Sequence, residues 1–305
     1  MEDRIFAFLD YLKDEYGYSD NTVAAYKNDL SQFYNFLQTH HPEITAWPAV
    51  DEVIVSAYVE HMKEQPYAPS SVARKVAAIK SFFNYLAAGK LLDENPTEEI
   101  VSPRVKKQPP KTLSAEDAAR LLAAPGQNRA PKYLRDRALL HLLYATGMRV
   151  SELVALQVDD IDLEQRQLYS PGKGDESRLL PFDEETAAVL EDYLKHGRPH
   201  LLKDEEERAL FLNHRGRQLT RQGLWLIIKA YARQAGLSED VTPHTLRHSF
   251  AAHKVESGAN LQRVQQLLGH ANISTTQVYM QISEGAQQEE TQSDEEPDKG
   301  TTAQA

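Results

Sequence analysis

Thr242-Pro243-His244-Thr245-Leu246-Arg247-His248-Ser249-Phe250-Ala251 reads as the opening of a helix. Pro243 suits the first helical position, where a missing N–H leaves nothing unsatisfied, and Thr242 before it marks the start. The first turns of such a helix carry free backbone N–H groups and the positive end of its dipole. His244 and Arg247, three apart, share a face there, so a phosphate is a natural ligand. By itself an H-x-x-R pair is more often an exposed polar helix start, and its meaning depends on what surrounds it.

Downstream, Gly258 stops this helix, Asn260 to Leu268 forms another closed by Gly269, and Ser274 caps a last short one. Upstream, helices resume at Glu184 after three short strand-like runs, Ile161-Asp162-Leu163, Gln167-Leu168-Tyr169 and Arg178-Leu179-Leu180. The second turn between them is Pro171-Gly172-Lys173-Gly174-Asp175. Before the strands, Leu134 to Tyr144 makes an apolar helix ending at Gly147, and Ser114 with Asp117 opens a helix as a capping box. The expectation is a mixed α/β domain over 112–283, mainly helical, with a small antiparallel three-stranded sheet.

The first ninety residues show apolar positions spaced by three and four, which predicts four helices. Ile5, Leu9, Leu12 and Tyr16 mark the first, and Val23, Tyr26, Leu30, Phe33 and Leu37 the second behind an Asp20 or Asn21 cap. Ile54, Tyr58 and Met62 mark the third, and Val72, Val76, Ile79, Phe83 and Leu86 the fourth behind Ser70 and Ser71. This is a helical domain over 1–92. From 93 to 111 prolines at 96, 103, 109 and 110 and the bases Arg104, Lys106, Lys107 and Lys111 indicate an extended basic linker. Residues 284–305 are Gln/Glu-rich and apolar-poor, which predicts a disordered acidic tail.

A chain of 305 residues has room for two cores. Cysteine is absent, which excludes disulfides, a cysteine nucleophile and thiolate metal sites. No apolar run is long enough to cross a bilayer and the start, Met1-Glu2-Asp3-Arg4, lacks signal-peptide character, so a cytoplasmic protein without a membrane partner is expected. The net charge is −11, of which the tail from Glu284 carries −6, so any basic face must be local.

Four more residues fall on element edges. Arg149 follows the Thr146-Gly147-Met148 break at a helix start, where Glu152 can brace it at i+3. Lys173 sits between two glycines at a hairpin tip, His270 follows Gly269, and Tyr279 lies nine residues on in the last helix. Each alone reads as ordinary: a surface ion pair, a solvated turn lysine, a helix cap residue, a core tyrosine.

Together, Arg149, Lys173, His244, Arg247, His270 and Tyr279 resemble, in order, the active-site signature of the tyrosine recombinase (phage integrase) family. The surrounding text agrees: Ala145-Thr146-Gly147-Met148-Arg149-Val150-Ser151-Glu152-Leu153, Gly172-Lys173-Gly174, His244-Thr245-Leu246-Arg247-His248-Ser249-Phe250-Ala251, and Leu267-Leu268-Gly269-His270 through to Tyr279. The nearest resemblance is to the bacterial Xer recombinases, and it extends to the first domain, which looks like their core-binding domain. The resemblance implies two domains forming a clamp around DNA, and a 3′-phosphotyrosyl intermediate with strands exchanged through a Holliday junction. It implies four protomers, alike or of two kinds, on two recombination sites. A second Xer-like recombinase and a septal DNA translocase are possible partners, in chromosome-dimer resolution at cell division.

The chemistry fits these residue types. Arg149, Arg247 and His270 supply donors for the charge that builds on a phosphodiester's nonbridging oxygens. A free tyrosine has a pKa of about 10, so a base must take the Tyr279 proton, and His244 is assigned that role. Lys173 is assigned as the acid that protonates the departing 5′ oxygen. No metal, ATP or other cofactor is needed. The alternatives are an integrase or transposase of a mobile element, a DNA-binding protein without catalysis, a type IB topoisomerase, and a metal hydrolase built on His244 and His248. The last lacks the glutamate of H-E-x-x-H. One departure from the Xer pattern is that Met280-Gln281-Ile282-Ser283-Glu284-Gly285 leads into the acidic tail where an amphipathic docking helix is usual.

Overall fold

The computed structural model describes residues 1–103, 110–170, 177–269 and 278–279. Lys173, His270, the end of the chain from 280 and part of the basic linker lie outside them. The chain divides into two compact units, Met1–Gln108 and Pro109–Ala305. No helix among the described residues is long and apolar enough to cross a membrane.

The first unit holds α1 (Glu2–Asp14), α2 (Asp20–His40), α3 (Glu52–Glu64) and α4 (Pro69–Ala88). Their apolar stripes meet in a core of Phe8, Leu30, Phe33, Tyr58, Val76, Phe82, Phe83 and Leu86, with Trp47 from a short 3₁₀ turn closing one end. Three local expectations change. Tyr16 lies past the end of α1 and is exposed, because the helix stops at Asp14. Ser19 caps α2, its Oγ accepting from the Thr22 N–H at 3.2 Å, so Asp20 becomes the first helical residue. Pro69 starts α4 without a side-chain cap, pushing Ser70 and Ser71 inside the helix. A buried charge joins two helices: Asp29 of α2 accepts from Arg74 and from Lys75 of α4, which also donates to Gln32 at 2.5 Å.

Helical periodicity ends near Leu92, but packing on the first unit does not. Thr97 is fully buried, Ile100 joins the core, and the Lys80 ammonium donates to the Ile100 carbonyl at 2.8 Å. Short polar turns made by Asn95 carry this stretch, which a search for apolar periods passes over.

The second unit comprises α5 (Ala115–Ala123), α6 (Pro131–Thr146), α7 (Val150–Ala155), β1 (Ile161–Asp162), β2 (Gln167–Ser170), β3 (Arg178–Pro181), α8 (Glu184–Asp192), α9 (Arg198–Leu201), α10 (Arg221–Gln234), α11 (Pro243–Glu256) and α12 (Leu261–Leu268). The strands form one antiparallel sheet in the order β1-β2-β3, with Leu168 opposite Leu180 on the buried face and Tyr169 opposite Leu179 on the exposed one. Ser114 caps α5, but only the forward half of the box forms. Its Oγ accepts from the Asp117 N–H at 3.0 Å, while the Asp117 carboxylate, one methylene shorter than Glu, pairs with Arg120.

Helix α6 is buried almost all round by Leu134, Ala138, Leu139, Leu140, Leu142 and Leu143, as suits a central helix. It is flanked by α8, by a π-helical turn at Tyr193–Gly197, and by α11. The segment leading into the unit is tied to α11 through both backbone groups of Leu113. Its N–H donates to Ser249 Oγ at 2.8 Å and its carbonyl lies 3.0 Å from His253 Nε2.

Gly147 ends α6 in the left-handed region at φ 58°, and a Cβ there would sit 2.2 Å from the Phe250 ring of α11. Only glycine lets the two helices approach this closely while the chain turns toward Arg149. Gly147→Ala is therefore expected to cost at least about 1–2 kcal/mol from backbone strain alone, with ring overlap adding to it. Denaturant unfolding should show the midpoint falling; an unchanged midpoint would contradict this packing.

Candidate active site

Arg149 stands at the N-cap of α7, and the Glu152 carboxylate folds back on it. Oε2 accepts from the Arg149 backbone N–H at 2.6 Å and Oε1 from Nη1 at 2.9 Å. This is the i+3 brace expected from the sequence. Glu152 also receives both terminal nitrogens of Arg178, at 2.9 and 2.8 Å. Burial alone would raise its pKa, but the Arg178 and Arg149 hydrogen bonds outweigh that and hold the carboxyl below its ordinary range.

Arg247 lies in the second turn of α11 and is 6% exposed. It reaches across to the turn after α6, donating to the Gly147 carbonyl at 2.6 Å, and to the Leu268 carbonyl at the end of α12, also at 2.6 Å. Burial, the Arg149 charge and, more weakly, Arg178 bring its pKa down to about 10, against the pull of Glu152, so it stays a cation near neutrality. Among the described residues Arg247 has no carboxylate within salt-bridge distance.

The end of α12 gathers these groups. Three successive carbonyls each accept from a different arginine: Leu267 from Arg178 at 2.9 Å, Leu268 from Arg247 at 2.6 Å and Gly269 from Arg149 at 2.6 Å. Such carbonyls are the unsatisfied acceptors at a helix C-terminus, where the dipole favours cations. Gly269 turns the chain in the left-handed region at φ 62°, and a Cβ there would lie 3.0 Å from Arg178 Nη1 and 3.4 Å from Arg149 Nη1. His270 follows directly in sequence.

Tyr279 is 1% exposed, and its hydroxyl lies 2.6 Å from Nδ1 of His248 on α11. Burial raises the phenol's pKa while the Arg247 charge pulls it down, with burial prevailing. His248 is held below the ordinary histidine range by burial, then by His244 and Arg247. With the ring proton on Nε2, His248 Nδ1 accepts the phenol's hydrogen bond; with it on Nδ1, the ring donates to the phenol oxygen. His244, assigned from sequence as the base, is exposed at the start of α11, whereas Arg247 on the same helix is buried. The side chain bonded to the phenol is His248, one turn further on.

The structure thus brings Arg149, Arg247 and Tyr279 into one cluster and places His244 at its exposed edge. Two members passed unnoticed in the sequence. His248 was weighed only as a metal ligand, although it adjoins Arg247; Arg178 was read only as strand, although it lies five residues after Lys173 in the sequence.

A buried phenol against a histidine, beside three clustered guanidiniums, puts an oxygen nucleophile's side chain next to a cationic pocket suited to an anion. Residues 111–285 match the model of the Phage integrase family, and residues 5–90 match that of the Phage integrase, N-terminal SAM-like domain. A tyrosine recombinase XerC of Roseiflexus castenholzii is 47% identical over 285 residues, covering 93% of this chain and 90% of that protein. A tyrosine recombinase XerD of Halalkalibacterium halodurans is 42% identical over 276 residues, covering 90% and 92%. Among solved structures, a XerH site-specific recombinase bound to difH substrate in a pre-cleavage complex is 25% identical, with a TM-score of 0.69, covering 87% of this chain and 79% of that one. A lambda integrase dimer bound to a COC′ core site shares the fold at 17% identity and a TM-score of 0.71, covering 92% and 94%. The chain belongs to the phage integrase family of tyrosine recombinases.

The shift at His248 has a consequence for stability. Its folded pKa lies below the ordinary value of 6.5, so the unfolded chain takes up the proton first as pH falls. Its contribution is fully present above about pH 6.5 and is lost below it, with a slope of up to about 1.4 kcal/mol per pH unit. His248→Gln, which keeps an acceptor for the phenol, should flatten the unfolding free energy between about pH 7 and pH 5. An unaltered slope would show that His248 is not buried neutral.

Proposed function

We propose that the chain is a site-specific DNA recombinase that cuts and rejoins duplex DNA through a 3′-phosphotyrosyl bond at Tyr279. The observation that carries this is the charge of the cluster. Arg149 and Arg178 bond Glu152 while Arg247 lies beside them without a carboxylate partner among the described residues, so three guanidiniums share one carboxylate and two positive charges are left beside Tyr279 for an anion. Arg149 and Arg247 would hold the nonbridging oxygens of the scissile phosphate, helped by His270, and each such donor is typically worth about 10²–10³ in rate. His244, exposed at the mouth of α11, and His248, on the phenol, offer the two imidazoles that can relay the Tyr279 proton. Lys173 would protonate the departing 5′ oxygen. Because the phenol is buried, DNA and hydroxyl must be brought together by movement of one toward the other. Two domains on DNA, four protomers on two sites and exchange through a Holliday junction complete the reading.

Within that class we infer the Xer role, resolution of chromosome dimers at cell division. Relatives named XerC and XerD at 40% identity and above support it over a mobile-element integrase, to which the likeness in hand is one of fold. The Tn1549 transposon integrase is 19% identical, with a TM-score of 0.72.

The duplex preferred by the protein can be recovered by selection from random sequences and nicked next to the cleavage point, so that the severed fragment diffuses away. The wild-type protein should then accumulate a denaturant-stable DNA adduct, and Tyr279→Phe should bind without forming one. An adduct that survives Tyr279→Phe, or none from the wild type, would overturn the catalytic reading. Genome-wide mapping of bound DNA should give one peak near the replication terminus; peaks at the ends of mobile elements would overturn the Xer role.

A further inference from the structure

We propose that Arg178 is a positioning residue for strand cleavage: it occupies Glu152 and the end of α12 so that Arg149 is left to meet the scissile phosphate. This rests on the catalytic reading above and adds to it a residue that does not itself touch DNA.

The geometry is specific. Arg178 is the first residue of β3, at the foot of the segment that carries Lys173, and its side chain is 16% exposed. Its three nitrogens are all engaged: Nη1 and Nη2 fork onto the two Glu152 oxygens at 2.9 and 2.8 Å, and Nε donates to the Leu267 carbonyl at 2.9 Å. One guanidinium therefore joins three elements: the strand leading from Lys173, the α7 start bearing Arg149, and the α12 end that precedes His270. Only a planar, five-donor group can make this set of bonds; a lysine ammonium can reach part of it at most.

The electrostatic consequence concerns Arg149. Its side chain is 45% exposed and gives Glu152 only one arm, while Nη2 goes to Gly269. Glu152 is 9% exposed, so its charge needs partners. With Arg178 supplying a full fork, that need is met without drawing Arg149 inward. Without Arg178, Arg149 would be the nearest cation able to fork onto the carboxylate. Its charge would then be spent on Glu152 and its donors turned from the phosphate. Gly269 belongs to the same arrangement, since its left-handed backbone suits glycine and a Cβ there would press on the Arg178 guanidinium at 3.0 Å.

The test uses the full chain and the selected, nicked duplex in two forms, one with an ordinary scissile phosphodiester and one with a methylphosphonate in its place. A methyl group removes the nonbridging charge that Arg149 is placed to meet. Arg178→Ala and Arg178→Lys should each slow adduct formation on the ordinary duplex by at least about thirty-fold, on the scale of losing one such donor. They should regain most of that loss on the methylphosphonate duplex, as Arg149→Ala should, while duplex affinity stays near wild type. If Arg178→Ala does not fold, as thermal melting would show, Arg178→Lys carries the test. Rates within three-fold of wild type on the ordinary duplex, or equal losses on both duplexes, would overturn the proposal. Failure of the wild-type protein to form any adduct would instead strike the catalytic reading.

Discussion

The second unit is organised around the C-terminal end of α12, where three consecutive carbonyls accept from three arginines that come from β3, α11 and the start of α7. Each of these is a charge-assisted bond to an acceptor the helix could not satisfy itself, worth roughly 1.5–3 kcal/mol net. Three cations within one turn would repel one another in the open. Here the carbonyls, the negative end of the helix and the Glu152 carboxylate hold them together, and burial brings Arg247 down to about 10 without discharging it near neutrality. The arrangement compensates the arginines only in part, which is what a site for a charged ligand requires.

Helix packing supplies the precision. Gly147 permits α6 and α11 to touch through Phe250, and the same residue offers its carbonyl to Arg247. The close approach that stabilises the core thereby sets the reach of the guanidinium. Ser249 and His253 of α11 hold Leu113, so the helix bearing His244, Arg247 and His248 is pinned on its opposite side as well. Tyr279 packs against this helix with its hydroxyl on His248, a position in which burial keeps the phenol protonated and out of water.

Much of this was legible in the sequence because the strongest local signals are also the ones the site uses. Pro243 and Gly269 marked helix ends, and the residues at those ends reach the cluster. The i+3 spacing of Arg149 and Glu152 forecast their bond. What could not be read were contacts set by tertiary packing. Arg178 lies 26 residues from Glu152 and 89 from Leu267, and nothing within β3 points to either. His248 escaped notice for a different reason: His244 and His248 are both on α11, and choosing between them needs the burial that only the folded core defines. The errors at helix starts, Ser19 for Asp20 and Pro69 for Ser70, arose where several capping residues adjoin and local propensity cannot choose among them.

The central claim is that the arginines gathered at α12 form a seat for one phosphate beside Tyr279. A crystal structure of the Tyr279→Phe protein on its selected duplex tests it most directly. The account predicts guanidinium nitrogens of both Arg149 and Arg247 within hydrogen-bond reach of the two nonbridging oxygens of a single phosphate, with Glu152 still held by Arg178. A duplex whose phosphates make no contact with Arg149 and Arg247, or an Arg149 turned wholly onto Glu152 while the DNA is bound, would contradict it.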